Sequence, residues 1–216
     1  MKISELIRKY FDGLTDTQCS QFDALLTLYP EWNAKINVIS RKDIDNLAVN
    51  HVLHSLAIGK FMTPVDGTRI LDMGTGGGFP GIPLAILWPQ CRFHLIDRIG
   101  KKINVAKSIA EAIGLTNVTF QHGDIAECRD RYDYVVSRAV MRLEALVPLI
   151  RKNISQENRN VHPNGLICLK GGDLADEIEA THNYSVMDIP LSEYFSEPYF
   201  DTKYLIYVPI CLKSKK

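Results

Sequence analysis

The chain has no apolar run approaching the roughly 18–20 residues needed to cross a bilayer. Its N-terminal stretch from Met1 to Tyr10 is charged and amphipathic, without the apolar centre of a secretory signal. A cytoplasmic protein with no membrane partner is therefore expected. Five cysteines (Cys19, Cys91, Cys128, Cys168, Cys211) are odd in number, widely scattered, and include no CxxC pair. That argues against a disulfide framework and against a zinc site, leaving reduced, mostly buried thiols and no bound metal. Internal repeats and low-complexity tracts are missing as well. So is any excess of charge, since 25 Lys and Arg balance 25 Asp and Glu. A neutral chain does not grip nucleic acid by bulk electrostatics alone.

What is present is an ordinary folded composition, 46% hydrophobic and 23% charged, over 216 residues. That length suits one sizeable α/β unit with a shorter appendage, expected as a monomer. The charges are unevenly placed. Eight acidic residues and no Lys or Arg lie between Gly171 and Thr202, whereas Arg138, Arg142, Arg151, Lys152 and Arg159 crowd the segment before them. An RNA partner would meet that second surface; a solvated helix face is the alternative.

Ile3, Leu6, Ile7, Tyr10, Phe11 and Leu14 recur at the helical period. Thr15-x-x-Gln18 then makes a capping box for a second helix carrying Phe22, Leu25, Leu26 and Tyr29. Pro30 to Arg41 reads as a break and Asn46 to Phe61 as helical again, so residues 1–62 form a helical extension. From Arg69 onward, short apolar runs alternate with helical stretches. Strands are expected at Arg69–Met73, Arg92–Asp97, Val118–His122, Tyr132–Ser137, Leu166–Lys170 and Tyr204–Ile210, with helices at Ile82–Leu87, Lys101–Ile113 and Leu143–Asn153. This alternation predicts a Rossmann-like α/β core over 63–216, a mostly parallel sheet covered on both faces. Ligands bind such sheets at the carboxyl ends of the strands.

The first strand runs into Asp72-Met-Gly74-Thr-Gly76-Gly-Gly78-Phe79-Pro-Gly81, a glycine loop between strand and helix. Glycines let the backbone turn sharply and approach a ligand closely. Gly76-x-Gly78-x-x-Gly81 also satisfies the dinucleotide fingerprint, which is weak evidence by itself. Asp72 is expected to tip the choice, because a carboxylate there could meet the cationic amino-acid end of S-adenosylmethionine, directly or through water, and offers nothing to a pyrophosphate. Asp97 ends the second strand 23 residues after Gly74, the position of an acid that reaches a ribose's hydroxyls. Adenine would lie after the third strand, against Ile125 and Ala126, with Asp124 either accepting from its amino group or capping the next turn.

Arg138 closes the fourth strand, where its fork of donors suits guanine O6, a phosphate or the cofactor carboxylate. Lys170, before Gly171-Gly172, offers a second cation on the same rim or a plain surface lysine in a turn. Cys128 and Cys168 lie near strand ends but lack the Pro-Cys setting of a cytosine C5 nucleophile. His51 and His54 stand i, i+3 on a helix; packing is the favoured reading for both, facing a bound base the other.

The segment Asp72-Met-Gly-Thr-Gly-Gly-Gly-Phe-Pro-Gly-Ile-Pro-Leu84, with Leu95-Ile-Asp97, Lys101-Lys102 and Val136-Ser-Arg-Ala139, resembles the bacterial family of small-subunit ribosomal RNA methyltransferase G, also called glucose-inhibited division protein B. The similarity reaches upstream through Trp32-Asn33, Asn37-Val38-Ile39 and His51-Val-Leu-His-Ser55, and so spans nearly the whole chain. The resemblance implies S-adenosylmethionine-dependent methylation of guanine N7 in the decoding-region hairpin of 16S ribosomal RNA, naked or in the assembled small subunit. It places Gly74, Phe79, Ile125, Ala126 and Arg138 on the family's cofactor-binding positions. His54 stands where many relatives have Asp. Guanine N7 carries an in-plane lone pair and no proton, so its methylation needs alignment more than a general base. No Asn/Asp-Pro-Pro-Tyr/Phe segment of the exocyclic-amine enzymes follows the fourth strand, which reads Ser137-Arg138-Ala139-Val140. Arg138 is thus the expected positioning residue, with Arg142 and Lys170 toward RNA. The competing readings are a small-molecule methyltransferase and an RNA-binding module without catalysis.

Overall fold

The computed structural model describes residues 2–210, so Cys211 and the end of the 63–216 span lie outside the described residues. Among the described residues, seven strands form one sheet: β1 (Arg69–Met73), β2 (Arg92–Asp97), β3 (Val118–His122), β4 (Tyr134–Arg138), β5 (Gly165–Gly171), β6 (Met187–Pro190) and β7 (Lys203–Pro209). Their order is β3-β2-β1-β4-β5-β7-β6. The first five run parallel, and β7 pairs antiparallel with both β5 and β6. β1 lies between β2 and β4, so the winding reverses there and a crevice opens beyond the carboxyl ends of β1 and β4.

Alternation along the strands builds two apolar layers. Ile70, Tyr134, Val136, Ile167, Leu169 and Leu205 face one layer, together with α4 (Gly81–Leu87) and α5 (Gly100–Ala112). Leu71, Met73, Val135, Leu166, Cys168 and Ile206 face the other, under α6 (Leu143–Ile150) and α7 (Ala175–Glu179). The N-terminal segment contributes α1 (Ile3–Ile7), α2 (Asp16–Asn33), a π-helical stretch at Leu47–Leu53 and α3 (His54–Phe61). Its buried residues, among them Ile3, Phe22, Leu25, Tyr29 and Leu56, join the first layer and make no separate core.

Several boundaries differ from expectation for local reasons. The helical period through Leu14 produces only Ile3–Ile7, with Gly13 in the left-handed region at φ 73°. Pro30 does not break α2; it sits in the last turn, and its carbonyl accepts from Ala34 N–H at 3.0 Å. The helix expected through Asn153 ends at Ile150 and tightens into a 3₁₀ turn. β6, inside the acidic run, has only four residues and ends on Pro190, as suits a sheet edge.

Gly165 pairs with Pro209, and a side chain there would overlap the Val208 carbonyl oxygen, a backbone atom that cannot rotate away. Gly165→Ala is expected to destabilise the fold by about 1–3 kcal/mol, measured by urea denaturation.

Candidate functional site

A cavity of about 580 Å³ occupies the crevice at the switch point. Its floor is the glycine loop. Gly74 and Thr75 N–H both donate to the Ile96 carbonyl, at 2.9 and 3.1 Å, tying the loop to β2. Gly74 (φ 69°) has no room for a Cβ, which would meet Val140 Cγ2 at 2.7 Å. Gly76 (φ 57°) faces open space, so a side chain there would project where a ligand must lie close.

Asp97 lines the cavity and holds the loop: Oδ2 accepts from Gly76 N–H at 2.8 Å and Oδ1 from Ile99 N–H at 2.8 Å. Each oxygen keeps a lone pair for a ribose hydroxyl. Ile96, Ile99 and Ile125 supply an apolar wall beside it. Arg138 reaches the cavity from the end of β4, with its guanidinium carbon 5.1 Å from the Phe79 ring centroid. The next residue, Ala139, adopts φ 51°, the only positive value among the described non-glycine residues.

Of the residues expected at the site, Gly74, Gly76, Phe79, Asp97, Ile125 and Arg138 line the cavity, whereas Asp72, Gly78, Asp124 and Ala126 do not. Asp72 requires a correction as far as direct contact goes. It is fully buried, and its Oδ2 accepts from the Thr75 hydroxyl at 2.6 Å and from Gly81 N–H at 2.7 Å. It therefore makes no direct contact with the cavity. It still discriminates between ligands, by another route. A dinucleotide's pyrophosphate needs the first N–H groups of this helix, but Asp72 occupies that of Gly81 and residue 80 is a proline with none to give. Gly78 turns away, with a Cβ excluded by Ile82. Asp124 caps its own turn, accepting from Ala126 N–H at 2.8 Å, and pairs with Arg98 at 2.9 Å. Ala126 is exposed and its carbonyl accepts from Lys152.

Lys170 is a second correction, because it is neither a rim cation nor a surface lysine. It is buried, forms an ion pair with Glu177, and donates to the Met141 carbonyl at 2.7 Å. Glu177 also accepts from Leu143 N–H at 2.6 Å, so the pair clamps the loop between β4 and α6. Arg142 is exposed beside a shallower cleft and pairs with Glu144. Cys168 is buried, and burial pushes its thiol up to about 12; Cys128 is buried against the Tyr132 hydroxyl. Neither lines the cavity.

Sequence reasoning missed Val38, Arg98, Lys102 and Met141, all of which line the cavity. Val38 was within reach, because it stands in the family segment Asn37-Val38-Ile39, shortly after Trp32-Asn33. Asn33 Oδ1 accepts from the N–H groups of Val38 and Ile39 at 2.8 and 2.9 Å, folding the loop over the glycines.

The family model described as rRNA small subunit methyltransferase G (GidB) matches residues 18–193. The chain belongs to this family. The ribosomal RNA small subunit methyltransferase G of Bacteroides thetaiotaomicron is 56% identical over 206 residues, 95% of this chain and 100% of that protein. The protein of the same name from Porphyromonas gingivalis is 51% identical, covering 96% and 94% of the two chains. Among solved structures, a SAM dependent methyltransferase from Aquifex aeolicus aligns with TM-score 0.53 at 15% identity, over 72% of this chain and 89% of that one. The ribosomal protein L11 methylase from Lactobacillus delbrueckii subsp. bulgaricus aligns with TM-score 0.55 at 16% identity, over 73% and 76%. At such identities these two show the fold alone, the Rossmann-like fold of class I methyltransferases with a helical extension before it. As a GidB-family member the chain is an rRNA methyltransferase of the S-adenosylmethionine-dependent class.

The Asp72 carboxyl is pushed up to about 7, chiefly by burial, against the pull of Thr75 and Gly81. A folded value above the unfolded one means the folded state holds its proton longer. The stability this contributes is full below about pH 4 and is lost as pH rises to about 7. Asp72→Asn keeps an oxygen for Thr75 and Gly81 and removes the titration. Its melting temperature should match the wild type near pH 4 and exceed it near pH 8, read by thermal denaturation across that range.

Proposed function

We propose that this protein methylates N7 of a guanine in the decoding-region hairpin of 16S ribosomal RNA. It acts as a cytoplasmic monomer, on the RNA or on the assembled small subunit. The observation that carries the reading is the cavity's short inventory of ionisable groups: Asp97, Arg98, Lys102 and Arg138. Three are cations, and Asp97 accepts a backbone N–H on each oxygen and gives its remaining lone pairs to the ribose. In this reading the described lining leaves no general base for the methyl acceptor. Guanine N7 needs none, because its lone pair attacks without losing a proton, so positioning suffices.

S-adenosylmethionine supplies the electrophilic methyl group. Gly74 and Gly76 would let it approach the loop, Asp97 would receive its ribose hydroxyls, and Ile99 and Ile125, which line the cavity, would hold its adenine. The donors of Arg138 not already bonded within the protein serve the cofactor carboxylate or guanine O6. Arg98 and Lys102, at the open edge of the cavity, and the exposed Arg142 nearby face RNA phosphates. With no net charge to hold RNA, contacts with other components of the small subunit help to fix the enzyme in place.

The test supplies labelled S-adenosylmethionine to small subunits from cells lacking this gene, followed by borohydride and aniline treatment, which cuts RNA at 7-methylguanine. One new cleavage site is expected, and Arg138→Ala should lower kcat/KM by about 100-fold or more. Label without cleavage would reject N7. No incorporation into subunits or free RNA would reject RNA as the substrate.

A further inference from the structure

Arg138 does not stand alone in the cavity wall. Its Nη1 donates to the Asn50 carbonyl at 3.1 Å, and its Nη2 lies 2.8 Å from Nδ1 of His51. The other imidazole nitrogen, Nε2, lies 2.6 Å from Asp43 Oδ2. Asp43 Oδ1 accepts from the Asn50 side chain at 2.6 Å. Asn50 and His51, 88 and 87 residues before Arg138, and Asp43 behind them all come from the N-terminal extension.

The direction of each contact follows from what the groups can give. A guanidinium has only hydrogens to offer, so Nδ1 of His51 accepts and the single imidazole proton sits on Nε2, where Asp43 receives it. The ring is neutral in this arrangement, as its value near 4 requires: burial lowers it first, then Arg138, with Asp43 opposing. Burial raises Asp43, but hydrogen bonds from Asn50 and His51 outweigh it and hold the carboxyl below its usual range. Two of the five guanidinium hydrogens are thus spent and three remain for an acceptor in the cavity.

The backbone around His51 is shaped for this. Leu47–Leu53 is π-helical, a form that recurs at functional sites. In an α-helix the Asn50 carbonyl would accept from His54 N–H; here that N–H turns to the His51 and Val49 carbonyls. The Asn50 carbonyl is left for Arg138 and for the Tyr199 hydroxyl at 3.3 Å.

We propose that Asp43 and His51 are positioning residues that fix the imidazole tautomer and thereby aim Arg138 into the cavity. The 43–51 segment is a working part of the methyl-donor site and not only a cover over the sheet. This inference rests on the methyl-donor reading of the cavity, though not on guanine N7 as the target.

Asp43→Leu tests it at similar size. Asp43 accepts from the Asn50 side chain on Oδ1 and from His51 on Oδ2, and leucine accepts from neither. The ring then loses the acceptor that holds its proton on Nε2 and is free to turn or change tautomer, which withdraws Nδ1 from the Arg138 Nη2–H. His51→Leu removes the acceptor for Arg138, whereas His51→Asn returns a carbonyl oxygen near the place of Nδ1. In the free full-length protein, two-bond ¹H–¹⁵N NMR should show His51 protonated on Nε2, and slow rotation should separate the Arg138 Nη signals. Both signatures should be lost in Asp43→Leu.

Calorimetry with S-adenosylhomocysteine should show about 10- to 100-fold weaker binding for Asp43→Leu and His51→Leu, and recovery to within about threefold for His51→Asn. The melting temperature of His51→Asn should stay close to the wild type. A wild-type ring protonated on Nδ1 would overturn the proposal. So would wild-type affinity in Asp43→Leu, or His51→Asn binding as poorly as His51→Leu. A wild-type protein that binds no S-adenosylhomocysteine would instead sink the methyl-donor reading, and the NMR signatures would still decide whether Asp43 and His51 hold Arg138.

Discussion

The geometry of the site depends on one buried carboxylate. Asp72 sits at the end of β1 with no exposure, and its Oδ2 gathers the Thr75 hydroxyl and the Gly81 N–H into a single point. Those two contacts define both ends of the glycine loop. A carboxyl in such surroundings is hard to ionise, so its value moves toward neutrality, and the loop conformation is coupled to its proton. Gly81 is glycine for the same reason, since a Cβ there would come within 2.6 Å of Asp72 Oδ2. From the other side the Tyr29 hydroxyl donates to the Gly77 carbonyl at 2.9 Å, and Val38 lies against Gly77. The loop is thus gripped from the sheet beneath it and from the helical extension above it.

Much of this was legible in the amino-acid order, and the failures share a cause. β1, β2 and β3 fall on the expected residues because β1 and β2 carry short apolar runs, β3 alternates Val118 and Phe120 with polar residues, and turn-forming residues flank them. Asp97 and Arg138 were legible because a strand end in an α/β sheet points its last side chains into the crevice. Asp124 carried two readings, a contact to adenine and a cap on its own turn, and the cap is what forms, on Ala126 N–H, with Arg98 beside it. Lys170 is taken by Glu177, and Asp72 gives Oδ2 to Thr75 and Gly81 while its Oδ1 stays buried without a protein partner. Most buried polar groups find partners, and spacing along the chain does not reveal which distant group arrives first. The link from His51 to Arg138 is of that kind. The pair at His51 and His54 favoured packing, and His54 does pack, against Tyr199 and Phe200.

On the far side of the cavity the loop after β4 is treated differently. Ala139 accepts a left-handed conformation without being glycine, a strained choice for a residue with a Cβ. The buried Lys170–Glu177 pair holds the segment behind it through the Met141 carbonyl and the Leu143 N–H. Such a pair does little for net stability, but losing one member leaves the other charge buried and unpaired. The arrangement therefore specifies a conformation more than it strengthens the fold. It keeps Val140 packed where Gly74 needs it to be.

Gln18 joins distant parts of the chain through one amide. Its oxygen accepts from Thr15 N–H at 2.9 Å and closes the capping box of α2, while its nitrogen donates to the Ile86 and Leu87 carbonyls at 2.9 and 3.1 Å, at the end of α4. The start of one helix and the finish of another are thereby satisfied by the same side chain. Fraying at either terminus withdraws a partner from the other, so the stability of α2 and that of α4 are linked through a single residue.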